Sequence, residues 1–173
     1  MASATIPDTT LVIGIGNEWR GDDGVGPWIV SALRDTNLPN VKTVPNVADG
    51  LDLLNVWRDA NTVYVIDALR GCGAPGTIIR VNALTENLPT ETGYSSHTFG
   101  LAEAIELGRT LNSLPKELIV IGIEGHDFAM GNSLSPAIES AAKQVIVQLC
   151  EELLNETQIK QSPPLKKGGR GGI

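Results

Sequence analysis

The chain has 173 residues, a length that suits a single domain with one hydrophobic core. Hydrophobic residues make up 42% of it and charged residues 19%, which excludes a mainly disordered chain. No apolar run approaches the roughly 18 residues that a membrane span requires, so we expect no insertion into a membrane.

The charge is unevenly distributed. The formal net charge is −7, but residues 160–173 contain four basic residues and no acidic one. The remainder of the chain therefore has 9 basic and 20 acidic residues, a net charge of −11. A surface of that sign repels nucleic acid and anionic lipid, so we expect neither as a partner. The N-terminus lacks the basic start and apolar segment of a secretory signal, which makes the cytoplasm the expected location.

In chain order, the hydrophobic pattern alternates between short apolar runs and segments with helical spacing. It predicts five strands at residues 11–16, 41–47, 62–67, 76–82 and 117–124, and four helices at 27–34, 49–58, 98–112 and 134–154. Such alternation is typical of an α/β fold. We expect a three-layer α/β/α sandwich with an open, mostly parallel sheet of about five strands and helices on both faces. Pro45 predicts that the second strand lies at an end or edge.

The domain boundaries follow from composition. Residues 1–159 are predicted to form a single α/β domain whose last helix ends near Leu154. Residues 160–173 are rich in Pro, Gly and Lys and have almost nothing to bury, so we expect a disordered basic tail.

The segment after the first predicted strand reads GIGNEWRGDDGVG, at residues 14–26. A dinucleotide fingerprint would need glycine where Trp19 stands, and the carboxylates of Asp22 and Asp23 would repel a pyrophosphate. No Gly-Lys-Ser/Thr sequence follows, so a P-loop is also excluded. What remains is a pair of acids in a loop, with Gly16, Asn17 and Gly24 as supporting residues.

Two interpretations of this acidic pair stay open. Asp22 or Asp23 can cap the following helix, which alone is stabilising. Alternatively, the pair forms part of a metal site, because Asp67 ends a second buried strand at the same sheet edge. Several carboxylates buried together need a proton or a cation. His97, at the predicted start of a helix, can add an imidazole ligand for nickel, zinc or manganese.

Other residues give weaker signals. Adjacent Ser95 and Ser96 cannot form a catalytic triad with His97. Cys72 and Cys150 fit neither a disulfide framework nor a zinc ribbon, and an ordinary free thiol is the simplest interpretation of Cys72. The pair at residues 126–127, His and Asp, follows the last strand and either lines a pocket or meets solvent. Trp19 and Trp28 flank the acidic loop, either as an apolar rim or as core.

Three motifs in this order resemble the hydrogenase maturation proteases. They are the pattern G-x-G-N-x4-D-[DE]-G-x-G at residues 14–26, a strand ending in Asp67-Ala68, and S-x-H-x-x-G-L at residues 95–101. The resemblance covers roughly residues 10–152. It implies an endopeptidase that trims the C-terminal extension of the large-subunit precursor of a nickel–iron hydrogenase. The family's three metal-binding residues correspond to Asp23, Asp67 and His97, which are also the implied catalytic residues.

The resemblance also implies where the metal comes from. Nickel is supplied by the substrate precursor, and the protease holds no cofactor of its own. The precursor is the implied partner, and we expect the protease to be a monomer. Two rival hypotheses use the same acids: a divalent-cation-dependent nucleotide-binding module, and a hydrolase of small amides.

Overall fold

The computed structural model describes residues 9–47, 50–89 and 98–161. Within these ranges the strands are β1 (Thr10–Ile15), β2 (Val41–Val47), β3 (Thr62–Leu69), β4 (Ile78–Asn82) and β5 (Glu117–Glu124). The helices are α1 (Val25–Asp35), α2 (Gly50–Val56), α3 (Thr98–Thr110) and α4 (Pro136–Gln161). A short 3-10 helix, Gly21–Gly24, leads directly into α1.

The strands form one sheet in the order β2-β1-β3-β5-β4. Among the described strands, the pairings β1–β2, β1–β3 and β3–β5 are parallel, and β4 pairs antiparallel with β5. This confirms the expected mostly parallel sheet. β2 is an edge strand, as Pro45 predicts, because a residue without an N–H is tolerated where one side of a strand has no neighbour.

Each face of the sheet is covered by two helices. Along β3, Tyr64 and Ile66 belong to the core cluster that contains residues of α1 and α4. Val63 and Val65 belong to the cluster formed with α2 and α3. Alternate residues of a strand point to opposite faces, so this division confirms the three-layer α/β/α sandwich.

The start of α1 lies unusually close to the sheet. A Cβ atom on Gly26 would lie 2.5 Å from the carbonyl oxygens of both Ile15 and Ile66. A Cβ on Gly14 would lie 2.7 Å from the carbonyl group of Gly26. Side chains cannot be accommodated at these distances, so the two glycines allow the N-terminus of α1 to rest on the ends of β1 and β3.

The predicted end of the last helix is wrong. Helix α4 does not stop near Leu154 but continues to Gln161, two residues into the segment predicted as a tail. The first of the extra turns contacts the sheet. The hydroxyl group of Tyr64 in β3 donates to Glu152 at 2.8 Å and shares this hydrogen bond with Glu156 at 3.2 Å. Residues 162–173 lie outside the described part of the chain. Among the described helices, none is both long and apolar enough to span a membrane.

Candidate active site

The candidate site lies where β1 and β3 separate. Pairing between these strands ends at Gly14 and Ile66, while β3 continues beside β5 to Leu69. Asp67 is therefore the first residue of β3 without a partner on β1. The chain passes from β1 to β2 on one side of β1, and β3 lies on the other side. The gap between the ends of β1 and β3 is therefore a topological switch point. Ligand sites in open α/β sheets form at such points.

Asp67 is completely buried at this position. Its Oδ1 accepts a hydrogen bond from the Ala68 amide at 2.8 Å, and its Oδ2 has no hydrogen-bond partner among the described residues. Burial raises the pKa of Asp67 well above its ordinary value, and the negative charge of Asp23 raises it further. The two predicted acids thus interact electrostatically at one edge of the sheet.

Asp23 is held by the loop that precedes it. Only 3% of Asp23 is exposed, and its Oδ2 accepts a hydrogen bond from the Asn17 amide at 2.9 Å. The Asn17 side chain in turn accepts a hydrogen bond from the amide of Trp19. Gly16 has φ +129°, and a Cβ there would collide with the carbonyl oxygen of Asp23. The loop therefore requires glycine at position 16, and the backbone amide of Asn17 orients the Asp23 carboxylate.

Asp22, the other acid of the pair, performs a structural task. Its carboxylate accepts hydrogen bonds from the amides of His126, Asp127 and Ser135, at 2.6 to 2.8 Å, and from the Ser135 hydroxyl group. Burial by itself would raise the pKa of Asp22, but these hydrogen bonds outweigh it and lower the pKa. Asp22 thereby ties the acidic loop to the loop after β5 and to the residue before α4.

The structure contradicts the capping interpretation of the acidic pair. The N-cap position of α1 is Gly24, and no side chain forms a capping hydrogen bond there. The 3-10 helix before it also lacks a side-chain cap. The hydrogen bonds of Asp22 go to other segments of the chain, and Asp23 binds the amide of Asn17.

The structure also locates residues that gave weaker signals in the sequence. His126 is exposed and contributes to the site through its amide, as Asp127 does. Trp19 and Trp28 are 68% and 38% exposed, which favours the rim over the core. Cys72 is a free cysteine, and burial followed by the charge of Glu124 raises the pKa of its thiol, so the thiolate is disfavoured.

A fourth buried carboxylate, that of Glu124 at the end of β5, was not among the residues predicted from the sequence. Its two oxygens accept hydrogen bonds from the amides of Gly71 and Cys72, at 2.6 and 2.9 Å. These hydrogen bonds fix the loop that follows β3, shortly after Asp67 in the sequence. An apolar strand that ends in an acid was the available signal, and it is the same signal that identified Asp67.

The third predicted ligand, His97, lies outside the described residues. Helix α3 begins at Thr98, the next residue in the chain, and packs on the face of the sheet that includes Val65. Among the described residues, no group of three or more His, Cys, Asp or Glu side chains is arranged to hold a metal ion. The described part of the site thus consists of the carboxylates of Asp23 and Asp67.

Residues 29–152 match the family described as hydrogenase maturation protease. The chain belongs to this family. As a hydrogenase maturation protease it is a peptidase, and the family resemblance is confirmed.

Individual relatives agree with this assignment. The chain is 30% identical over 155 residues to the hydrogenase expression/formation protein HupD of Rhodobacter capsulatus, a match that covers 85% of this chain and 72% of that protein. Its fold is similar to that of the hydrogenase maturating endopeptidase HybD from E. coli, with a TM-score of 0.71 and 25% sequence identity. The match covers 86% of this chain and 93% of that chain. The [NiFe] hydrogenase maturation protease HybD from Thermococcus kodakarensis is also similar, with a TM-score of 0.66 and 25% sequence identity. This match covers 84% of this chain and 99% of that chain.

The family match includes Asp67 and His97 but begins after the acidic loop. The role of Asp23 in this maturation protease therefore stays a prediction from the loop motif. A buried carboxylate with a raised pKa beside a second carboxylate can accept a proton or contact a cation.

Proposed function

We propose that this maturation protease is the endopeptidase that removes the C-terminal extension of a nickel-loaded [NiFe] hydrogenase large-subunit precursor. The observation that carries the proposal is the Oδ2 atom of Asp67, buried beside Asp23 without a hydrogen-bond partner among the described residues. A structural carboxylate such as Asp22 has its oxygens satisfied by donors, whereas Asp67 keeps an oxygen available. Membership of the maturation protease family supplies the substrate class.

In this proposal nickel arrives as part of the substrate. Carboxylate oxygens and imidazole nitrogens both bind nickel, so Asp23, Asp67 and His97 are the residues that would contact the metal of the precursor. Three protein groups leave further coordination positions for the ligands that the precursor itself supplies. The protease then needs no resident metal, and we expect purified protein to contain much less than one nickel per chain.

The same residues account for hydrolysis without a nucleophilic Ser or Cys. Attack of water on the scissile peptide requires a group that accepts a proton from the water. The Oδ2 atom of Asp67, which has no hydrogen-bond donor among the described residues, is available for this role when it does not contact the metal. A metal ion held beside the scissile bond would polarise the carbonyl group. Metal contact and bond cleavage are thereby coupled, so that only loaded precursor is processed.

The experiment compares nickel-loaded with nickel-free precursor, using the mass of the large subunit as the measurement. We expect wild-type protein to shorten only the loaded form. Asp23→Asn and Asp67→Asn keep the size of each side chain and remove its charge, so both should lower the processing rate by about 100-fold or more. His97→Gln should have a similar effect.

Asp59→Asn is the matched control, because Asp59 is exposed in the turn before β3, at the opposite edge of the sheet. It should process at the wild-type rate. A wild-type rate for purified Asp67→Asn would overturn the proposed role of this carboxylate. Cleavage of nickel-free precursor at the same rate as loaded precursor would overturn the role of nickel.

We further propose that the protein works as a monomer in the cytoplasm, in agreement with its composition and its precursor substrate. Light scattering during size-exclusion chromatography should give a mass near the 18.3 kDa of one chain. Cell fractionation should recover the protein with cytoplasmic markers.

A further inference from the structure

A groove of about 780 Å³ runs along the outside of the acidic loop. Its walls come from three segments: the loop residues 18–24, the exposed side of α1, and the residues around the start of α4. Its acidic and large apolar side chains are those of Glu18, Trp19, Trp28, Asp35, Leu134 and Glu139. None of them takes part in the carboxylate site described above.

The groove exposes two tryptophans. Trp19 is 68% exposed and Trp28 is 38% exposed, and both line the groove. The Trp19 loop is fixed in place, since its carbonyl oxygen accepts a hydrogen bond from the Gly131 amide at 2.8 Å. Tryptophan is enriched at the energetically important centres of protein interfaces. Two of them in one preformed groove indicate a surface that binds another polypeptide.

The groove is also acidic. Glu18, Asp35 and Glu139 contribute carboxylates, and none of the described residues that line the groove is basic. Glu139 is neutralised by an ion pair with Lys143 at 2.8 Å. Glu18 and Asp35 form no ion pair within the described part of the chain, so two negative charges remain. A cationic side chain in the groove would be attracted by these charges and by the faces of the tryptophan rings.

The groove borders the turn that carries Asp23. Gly21 and Gly24 form part of its surface, and between them in the same 3-10 helix lie Asp22 and Asp23. A chain segment in the groove would therefore lie against the backbone of the turn that positions the Asp23 carboxylate.

We propose that this groove is the docking site for a segment of the hydrogenase large-subunit precursor that presents basic side chains next to apolar ones. The inference rests on the proposed function for the identity of the partner. The tryptophans bind the apolar side chains, and Glu18 with Asp35 selects the cations. Docking here holds the precursor while its scissile peptide reaches Asp23 and Asp67.

The test measures binding separately from cleavage. Isothermal titration with purified nickel-loaded precursor gives the Kd for wild type, for Trp19→Ala and for the double variant Glu18→Lys/Asp35→Lys. All three changed positions are exposed, so the variants should fold normally. Leu111→Ala and Asp59→Lys are matched controls, because both residues are exposed at the opposite edge of the sheet.

We expect each groove variant to weaken binding about tenfold or more and each control to bind like wild type. Raising the salt concentration should weaken wild-type binding more than binding by the Glu18→Lys/Asp35→Lys variant. Suppose that neither wild type nor any variant processes the precursor, but that binding still depends on the groove residues. The proposed function would then be wrong, and the proposed docking site would remain supported.

Three results would overturn the docking proposal. One is unchanged binding by the groove variants while wild type processes the precursor normally. Another is a dimer of the protease that Trp19→Ala dissociates, because the groove would then hold a second copy of the chain. The third is a groove-dependent gain in affinity after removal of residues 162–173, because the chain's own basic segment would then occupy the groove.

Discussion

The carboxylate of Asp22 accepts hydrogen bonds from both the amide and the hydroxyl group of Ser135, at 2.6 and 2.8 Å. The two residues are 113 positions apart in the chain. Ser135 immediately precedes α4, and Asp22 immediately precedes Asp23. The start of the last helix is thus bonded directly to the loop that carries half of the described carboxylate site.

Asp22→Ala should therefore lower the free energy of unfolding by about 3 kcal/mol, because it leaves three partly buried amides and a hydroxyl group without their acceptor. Urea unfolding measures the change. Asp127→Ala is the control. Within the described part of the chain, the Asp127 side chain accepts hydrogen bonds from two exposed groups, Ala129 N and Asn132 Nδ2, so its removal should cost below about 1 kcal/mol. Equal losses in the two variants would contradict the role assigned to Asp22.

Gly26→Ala should destabilise the protein by about 2 kcal/mol, since the new methyl group would meet the carbonyl oxygens of Ile15 and Ile66. To relieve the clash, α1 must move away from the sheet edge, which also displaces the acidic loop. Thermal unfolding and precursor processing should both decline. Arg34→Lys, an exposed position of the same helix that does not line the groove, should change neither. A Gly26→Ala protein with wild-type stability would show that the close approach is not required.

Asp67→Asn should separate stability from function. A completely buried carboxylate costs free energy, so removal of its charge should leave the protein at least as stable as wild type at pH 7. The Ala68 amide can still donate to the remaining oxygen. Urea unfolding should give an equal or higher midpoint, even though processing is lost. A large loss of stability would mean that Asp67 serves the fold and not the reaction.

The dependence of the free energy of unfolding on pH in the acidic range should involve Glu152. Burial acts to raise the pKa of Glu152, but hydrogen bonds from Arg80 and Tyr64 outweigh it and hold the pKa below the ordinary value of 4.5. A lowered pKa in the folded state stabilises the protein above pH 4.5, and this contribution disappears as the pH falls through the folded value.

Glu152→Gln should therefore be less stable than wild type at pH 7, and the difference should shrink as the pH is lowered below about 4.5. Urea unfolding at pH 7, 5 and 3.5 measures it. Glu151→Gln, an exposed neighbour on α4, should show no such dependence. A difference that stays constant with pH would contradict the pKa shift.

Removal of residues 162–173 should leave the melting temperature within about 2 °C of wild type. So few large apolar side chains cannot offset the roughly 1–2 kcal/mol of backbone entropy that each ordered residue loses. Differential scanning calorimetry of the shortened and full-length proteins tests this. A clear drop would mean that the segment packs on the domain.

The sequence predicted the central strands well, because a strand buried on both faces leaves a continuous apolar run such as residues 11–15 or 63–66. It placed Asp67 near the end of β3, although the strand does not end there but continues beside β5 to Leu69. It could not predict that Asp22 binds Ser135, since nothing local to either residue indicates a partner so far away in the chain. The end of α4 was missed for a similar reason. Apolar periodicity fades after Leu154, and the helix continues because Glu156 meets Tyr64 of the sheet.

The direction of α4 has a practical consequence for experiments on this protease. The helix starts beside Asp22 and runs for 26 residues, about 39 Å at 1.5 Å per residue. Its final turns lie near Thr10 and Asn40, at the edge where β1 begins. An affinity tag attached beyond Gln161 would therefore anchor the molecule by the end opposite the carboxylates. Immobilised in this way on a sensor surface, the protein would present both the groove and the switch point to precursor in solution.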